Sequence, residues 1–129
     1  MPSATMAISA DFCRFLPVFG GFMGKSSQRK GADGERELAG ILAEYGYPVQ
    51  RGESQNYGTQ PDLIGLPNIH CEVKRTQQLR LHDALEQAKR DSMKFGDGLP
   101  TVFFRRNREK WQVCMYLEDW MQLYGGSHE

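Results

Sequence analysis

Residues 61–75, PDLIGLPNIHCEVKR, constrain the chain most. Two short runs rich in aliphatic residues flank Pro67. They predict two strands, Pro61–Leu66 and Ile69–Arg75, joined by a tight turn. Yet Asp62, Glu72 and Lys74 stand where strands usually favour apolar or neutral residues. Alternate side chains of a strand share a face, so Glu72 and Lys74 point one way while Ile69, Cys71 and Val73 point the other, into a core. With the turn centred on Pro67, Asp62 and Glu72 each lie five residues from it and face one another. A slip of one residue would part them.

Two acids opposed across strands destabilise the pairing. A cation between them removes that penalty, and hard oxygen ligands suit Mg2+ or Mn2+ better than zinc. The Lys74 ammonium beside such a pair can orient a water and stabilise charge on a phosphate oxygen. The metal acidifies the water and polarises the phosphodiester. The spacing PD-x(9)-E-x-K thus describes a compact phosphodiester-hydrolysis site. The alternative is a solvated sheet face with a chance ion pair between Glu72 and Lys74.

Glu35 weighs on that choice. It continues the apolar stripe of Leu38 and Leu42, so a helix would turn it inward, where an acid is costly unless satisfied. There it could reach the metal or its water. Its other reading is a first-turn acid favoured by the helix dipole. Glu37 falls towards the opposite, solvent side.

The remaining elements follow from periodicity. Leu38, Ile41, Leu42 and Tyr45 predict a helix from Ala32 to Gly46. Tyr47–Arg51 is a strand that Pro48 confines to an edge, and GESQNYGTQ, residues 52–60, is a loop. Leu81, Ala84, Leu85, Ala88, Ser92 and Phe95 trace a second helix ending near Gly96. Thr101–Arg105 and Trp111–Tyr116 form a hairpin across RNRE, and Leu117–Tyr124 is a terminal helix. The order α-β-β-β-α-β-β-α predicts one twisted sheet with helices against it. A chain of 129 residues suits one domain with one core, here residues 23–125, with an N-terminal tail or extension over 1–22 and a short tail over 126–129. The alternative for 1–22 is a strand or arm in a dimer contact.

Three widely spaced cysteines argue against a disulfide framework and a zinc site. No apolar run approaches the roughly 20 residues of a membrane span, and no signal peptide is evident. A cytoplasmic protein is expected. Net charge is zero, but residues 23–110 hold 15 Lys and Arg against 12 Asp and Glu, so a metal on the hairpin acids would leave a basic surface.

The ordered set RKGADGERELAGIL, PDLIGL, CEVKR and EQAKRD resembles the PD-(D/E)xK nuclease superfamily. More narrowly, it resembles archaeal-type Holliday-junction resolvases and their relatives encoded by bacterial viruses. The likeness spans roughly residues 25 to 123. It implies an α/β, restriction-endonuclease-like fold with a central mixed sheet flanked by helices, a divalent metal, and a homodimer that nicks opposing strands of a four-way junction. In that family the positions of Asp62 and Glu72 bind metal, a helix Glu matches Glu35, and the lysine matching Lys74 acts on water or phosphate. No organic cofactor is implied, and a bacterial or phage-infected cell is the expected setting.

Lys25, Arg29 and Lys30 precede the first helix and could hold phosphates beside the site. Arg75 follows the lysine, and Arg105 and Arg106, with Arg108 and Lys110, cluster on the late hairpin. Such contacts fix position without reading sequence. The bland alternative is a solvated surface charge. Gln87, between core positions of the second helix, is a candidate to reach the site. His70 shares a face with Glu72 but is expected to pack or sit at the surface. Phe103, Phe104, Trp111 and Trp120 are expected in core or dimer packing. Phe95 and Tyr57 are open as stacking residues. The function expected is a metal-dependent DNA endonuclease acting on Holliday junctions. Two alternatives stay open: a nuclease of the same superfamily acting on flaps, nicked or other duplex DNA, and a non-catalytic DNA-binding module.

Overall fold

The computed structural model describes residues 25–52 and 60–126, with side chains from residue 31 onward. The proposed tail over 1–22, loop residues 53–59 with Glu53 and Tyr57, and residues 127–129 lie outside it.

At the centre is β3, Ile69–Arg75. It lies in a five-stranded sheet of order β1-β2-β3-β4-β5, with β1 at Gln50–Arg51, β2 at Leu63–Ile64, β4 at Leu99–Arg105 and β5 at Gln112–Met115. The pairing is antiparallel except between β3 and β4. A parallel step needs a crossover, which helix α2, Leu81–Phe95, supplies. Helix α1, Lys25–Glu44, precedes the sheet and α3, Leu117–Gly126, follows it. The expected order and mixed sheet are what the chain adopts. Among the described residues no helix is long and apolar enough to cross a membrane.

The turn before β3 is set by Pro67 and Asn68. Leu66 accepts a hydrogen bond from the Ile69 N–H at 3.3 Å, and Asn68 takes a φ of 61°. Proline first and a positive φ second are the demands of a type II turn. The resulting register pairs Leu63 with Cys71, and one step further sets Asp62 opposite Glu72, as the sequence predicts. β1 and β2 are shorter than expected. Pro48 cannot donate to a ladder, and Gly65, at φ 116°, turns the chain out of β2.

Both faces of β3 are covered, so alternation divides its labour. Cys71 and Val73 join Leu38 of α1, Leu63 and Phe103 in one core cluster. On the other face α2 lays Ala84, Leu85 and Ala88 against Val102, and His70, Glu72 and Lys74 share that side. Helix α2 stops at Gly96, whose φ of 63° lets its N–H reach the Ser92 carbonyl at 2.7 Å.

Helix α1 begins at Lys25 rather than Ala32. The basic segment is therefore helical and does not merely lead into a helix. Its glycines hide the apolar period, yet each costs a helix only about 1 kcal/mol. Gly34 has a positive use: a Cβ there would lie 2.7 Å from the Cβ of Arg75, so glycine lets α1 press onto β3. Phe103, Phe104 and Trp111 pack in or against the core clusters, whereas Trp120 is 46% exposed.

Candidate active site

Asp62 lies just before β2 and is fixed by its neighbour strand. Its Oδ2 accepts a hydrogen bond from the Val73 backbone N–H at 2.8 Å. Burial, first of all, and the Glu72 charge push its carboxyl up to about 7. The Val73 N–H pulls the other way, the Glu35 charge adds to the rise, and Lys74 opposes it. Glu35, Glu72 and Lys74 thus each lie within electrostatic reach of Asp62, a buried acid that resists ionising. A carboxyl raised by burial and by neighbouring acids marks a candidate functional site.

Glu72 is 5% exposed. Its Oε2 lies 3.4 Å from Lys74 Nζ, and its Oε1 lies 3.6 Å from His70 Nε2. The ion pair of the bland reading exists, but it is not on an exposed sheet face. Lys74 Nζ also donates to Gln87 Oε1 of α2 at 3.2 Å, so Gln87 does reach the site. Glu35, on α1, accepts a hydrogen bond from Arg51 Nε at 2.9 Å. Arg51 gave no signal in the sequence; it lies beside Glu35 because β1 pairs with β2.

His70 is not at the surface. It is fully buried, stacked on Phe95 at 6.2 Å between centroids, with Nδ1 at 2.9 Å from Asp97. Asp91 of α2 completes a cluster with His70 and Glu72, one donor atom from each lying within 4.8 Å of the others. Asp91 falls four residues after Gln87, one helical turn along the same face. That spacing was the available signal.

Some expected DNA contacts are elsewhere. Arg105 is buried, its side chain 1% exposed, and donates from Nε and Nη2 to the two Glu37 oxygens at 2.9 and 3.0 Å. Trp111 Nε1 donates to Glu37 as well, at 3.0 Å. Arg105 is therefore an interior ion-pair residue, not a phosphate contact, and Glu37 does not face solvent. Arg75 lies on the α1 face, away from Lys74, and donates to Asn107 at 2.6 Å. Arg106 is exposed and pairs with Glu109 at 3.3 Å. Lys25, Arg29 and Lys30 fall on the first turns of α1, their side chains outside the described part.

Comparison with known proteins agrees with this fold. The family model described as archaeal Holliday junction resolvase (hjc) matches residues 26–120. Among solved structures the chain is similar to Hjc of Archaeoglobus fulgidus, a Holliday junction resolvase from an archaeal hyperthermophile. Identity is 25% and the TM-score 0.51, over 67% of this chain and 72% of that one. No curated protein sequence matches the chain. The matched span runs from the start of α1 into α3 and takes in Glu35, Asp62, Glu72 and Lys74, and on that footing the chain belongs to the archaeal Holliday junction resolvase family.

Proposed function

We propose that the chain is a metal-dependent endonuclease that hydrolyses phosphodiester bonds at four-way DNA junctions. One observation carries the reading: the buried Asp62 carboxyl, held up at about 7 partly by Glu72, beside a lysine 3.4 Å from Glu72. Family membership supports the substrate. The all-oxygen pair Asp62 and Glu72 suits Mg2+ or Mn2+; Glu35, the third acid of the reading, is held by Arg51 and closes no three-ligand cluster with them among the described residues. When bound, such an ion supplies Lewis acidity at the phosphodiester.

The chain's own residues supply the rest. Val73 N–H holds the Asp62 carboxylate in place, and Arg51 holds Glu35. Lys74 offers its ammonium to a phosphate oxygen as negative charge grows during in-line attack by water. Gln87 limits where that ammonium can go. The proposed unit is the domain over 23–125, working as a homodimer in the cytoplasm. A two-fold protein suits a two-fold junction, and the exposed Leu117, Trp120 and Met121 of α3, with Val113 of β5, offer apolar surface for a second copy. Free thiols at Cys71 and Cys114 suit a reducing compartment.

The test is cleavage of a labelled immobile four-way junction beside matched flap and linear duplex, with Mg2+ or EDTA, for wild type and Asp62→Asn. Paired symmetric nicks that require Mg2+ and vanish in the variant, with junction binding kept, are expected. Binding without cutting by wild type would leave a DNA-binding module. Equal cutting of every duplex would keep the chemistry and remove the junction.

A further inference from the structure

The face of β3 that carries Glu72 and Lys74 holds one more group, which the hydrolysis does not use. The His70 side chain is 1% exposed, and Asp97 accepts or shares a proton at its Nδ1, with oxygens at 2.9 and 3.0 Å. Its Nε2 is buried without a hydrogen-bond partner. An orphaned buried nitrogen asks for a cause. It is aimed at acids: Glu72 Oε1 stands 3.6 Å away, past hydrogen-bonding distance. Asp91 joins the two from α2, all three donor atoms lying within 4.8 Å of one another.

The fold builds this cluster in register. Positions 70, 72 and 74 of β3 share a face, and 87, 91 and 95 of α2 lie one helical turn apart. Lys74 meets Gln87 at one end and His70 meets Phe95 at the other, which leaves Asp91 opposite the middle. We propose that His70 Nε2, Glu72 and Asp91 form a second cation site, beside that of Asp62 and sharing Glu72 with it. One imidazole nitrogen with two carboxylates suits a borderline ion such as Mn2+, Co2+ or Zn2+ rather than Mg2+. Asp97 does for His70 what outer carboxylates do for metal-bound histidines: it holds the proton on Nδ1 and leaves the Nε2 lone pair free. Glu72 can serve both sites because its two oxygens already face different ways, one towards Lys74 and one towards His70.

The inference rests on the nuclease reading only through Glu72, and a binding experiment separates the two. Mn2+ is titrated into the full chain by calorimetry, and the loaded protein is examined by electron spin-echo envelope modulation. Two ions per chain are expected, one showing imidazole nitrogen coupling. His70→Gln and Asp91→Asn should each remove that ion and its coupling, while Asp62→Asn should keep them. Because His70 is buried, the partly exposed Asp91 gives the variant that least disturbs folding. A single ion without nitrogen coupling, unchanged in Asp91→Asn, would overturn the second site and leave His70 as an imidazolium between Asp97 and Glu72, with the nuclease reading untouched. A single ion with coupling would uphold the His70 site and displace the metal from Asp62.

Discussion

Lys74 Nζ donates to the amide oxygen of Gln87 at 3.2 Å, so a helix side chain sets the direction of the Lys74 ammonium beside buried Glu72. Gln87→Ala is expected to lower kcat by roughly 10- to 100-fold, as small misplacements at a site do. Junction affinity should barely change. Single-turnover cleavage with a parallel binding titration checks this, and an equal loss in both quantities would make Gln87 a DNA contact instead.

The raised Asp62 carboxyl has a stability consequence in metal-free protein. Its folded value, about 7, lies above the ordinary carboxyl value of 3.8. Between roughly pH 4 and 7 the native state binds more protons than the unfolded chain, so stability falls as pH rises through that window. His70 acts in the same direction. Burial alone would lower it, but Glu72 and Asp97 outweigh burial and raise it, so its contribution too is lost as pH rises. Asp62→Asn in EDTA should therefore gain about 5 °C in Tm at pH 8, on the order of 1 kcal/mol, and nothing near pH 4. Calorimetry at both pH values decides; a variant less stable at pH 8 would count against the buried, strained acid.

Removing one partner of the Arg105–Glu37 pair leaves a charge stranded in the interior. Arg105→Met should cost about 3 kcal/mol or more, read as a lower urea midpoint. The salt dependence of junction binding should stay as in wild type, whereas loss of a phosphate contact would flatten it.

Helix α3 leaves Leu117 73% and Trp120 46% exposed. Charging both, as Leu117→Glu with Trp120→Glu, is expected to convert the proposed dimer into monomers in sedimentation velocity. Paired nicking would then give way to nicks on one strand. Unchanged sedimentation would place the interface elsewhere.

The centre of the molecule was legible because its rules are local. Pro67 and Asn68 fix the turn, alternation fixes the faces of β3, and together they bring Asp62 opposite Glu72. Gln87 could be found because helical spacing is equally local. What stayed hidden depends on distant pairing. Arg105 and Glu37 are 68 residues apart, and a buried arginine looks in sequence like a solvated one. His70 and Asp97 are 27 apart and meet only because β3 and β4 run parallel. The early start of α1 was missed because Gly31 and Gly34 mask its period.

The division of β3 into a packing face and a chemical face limits how this strand can change. Substitutions alter one role at a time, since each position serves one helix. A single-residue insertion after Ile69 would exchange the roles, turning charges onto Leu38 and cysteine and valine towards Gln87. Like a text with a two-letter reading frame, the strand tolerates edits but not an odd change of length, so variation in length is expected in the loops on either side of it.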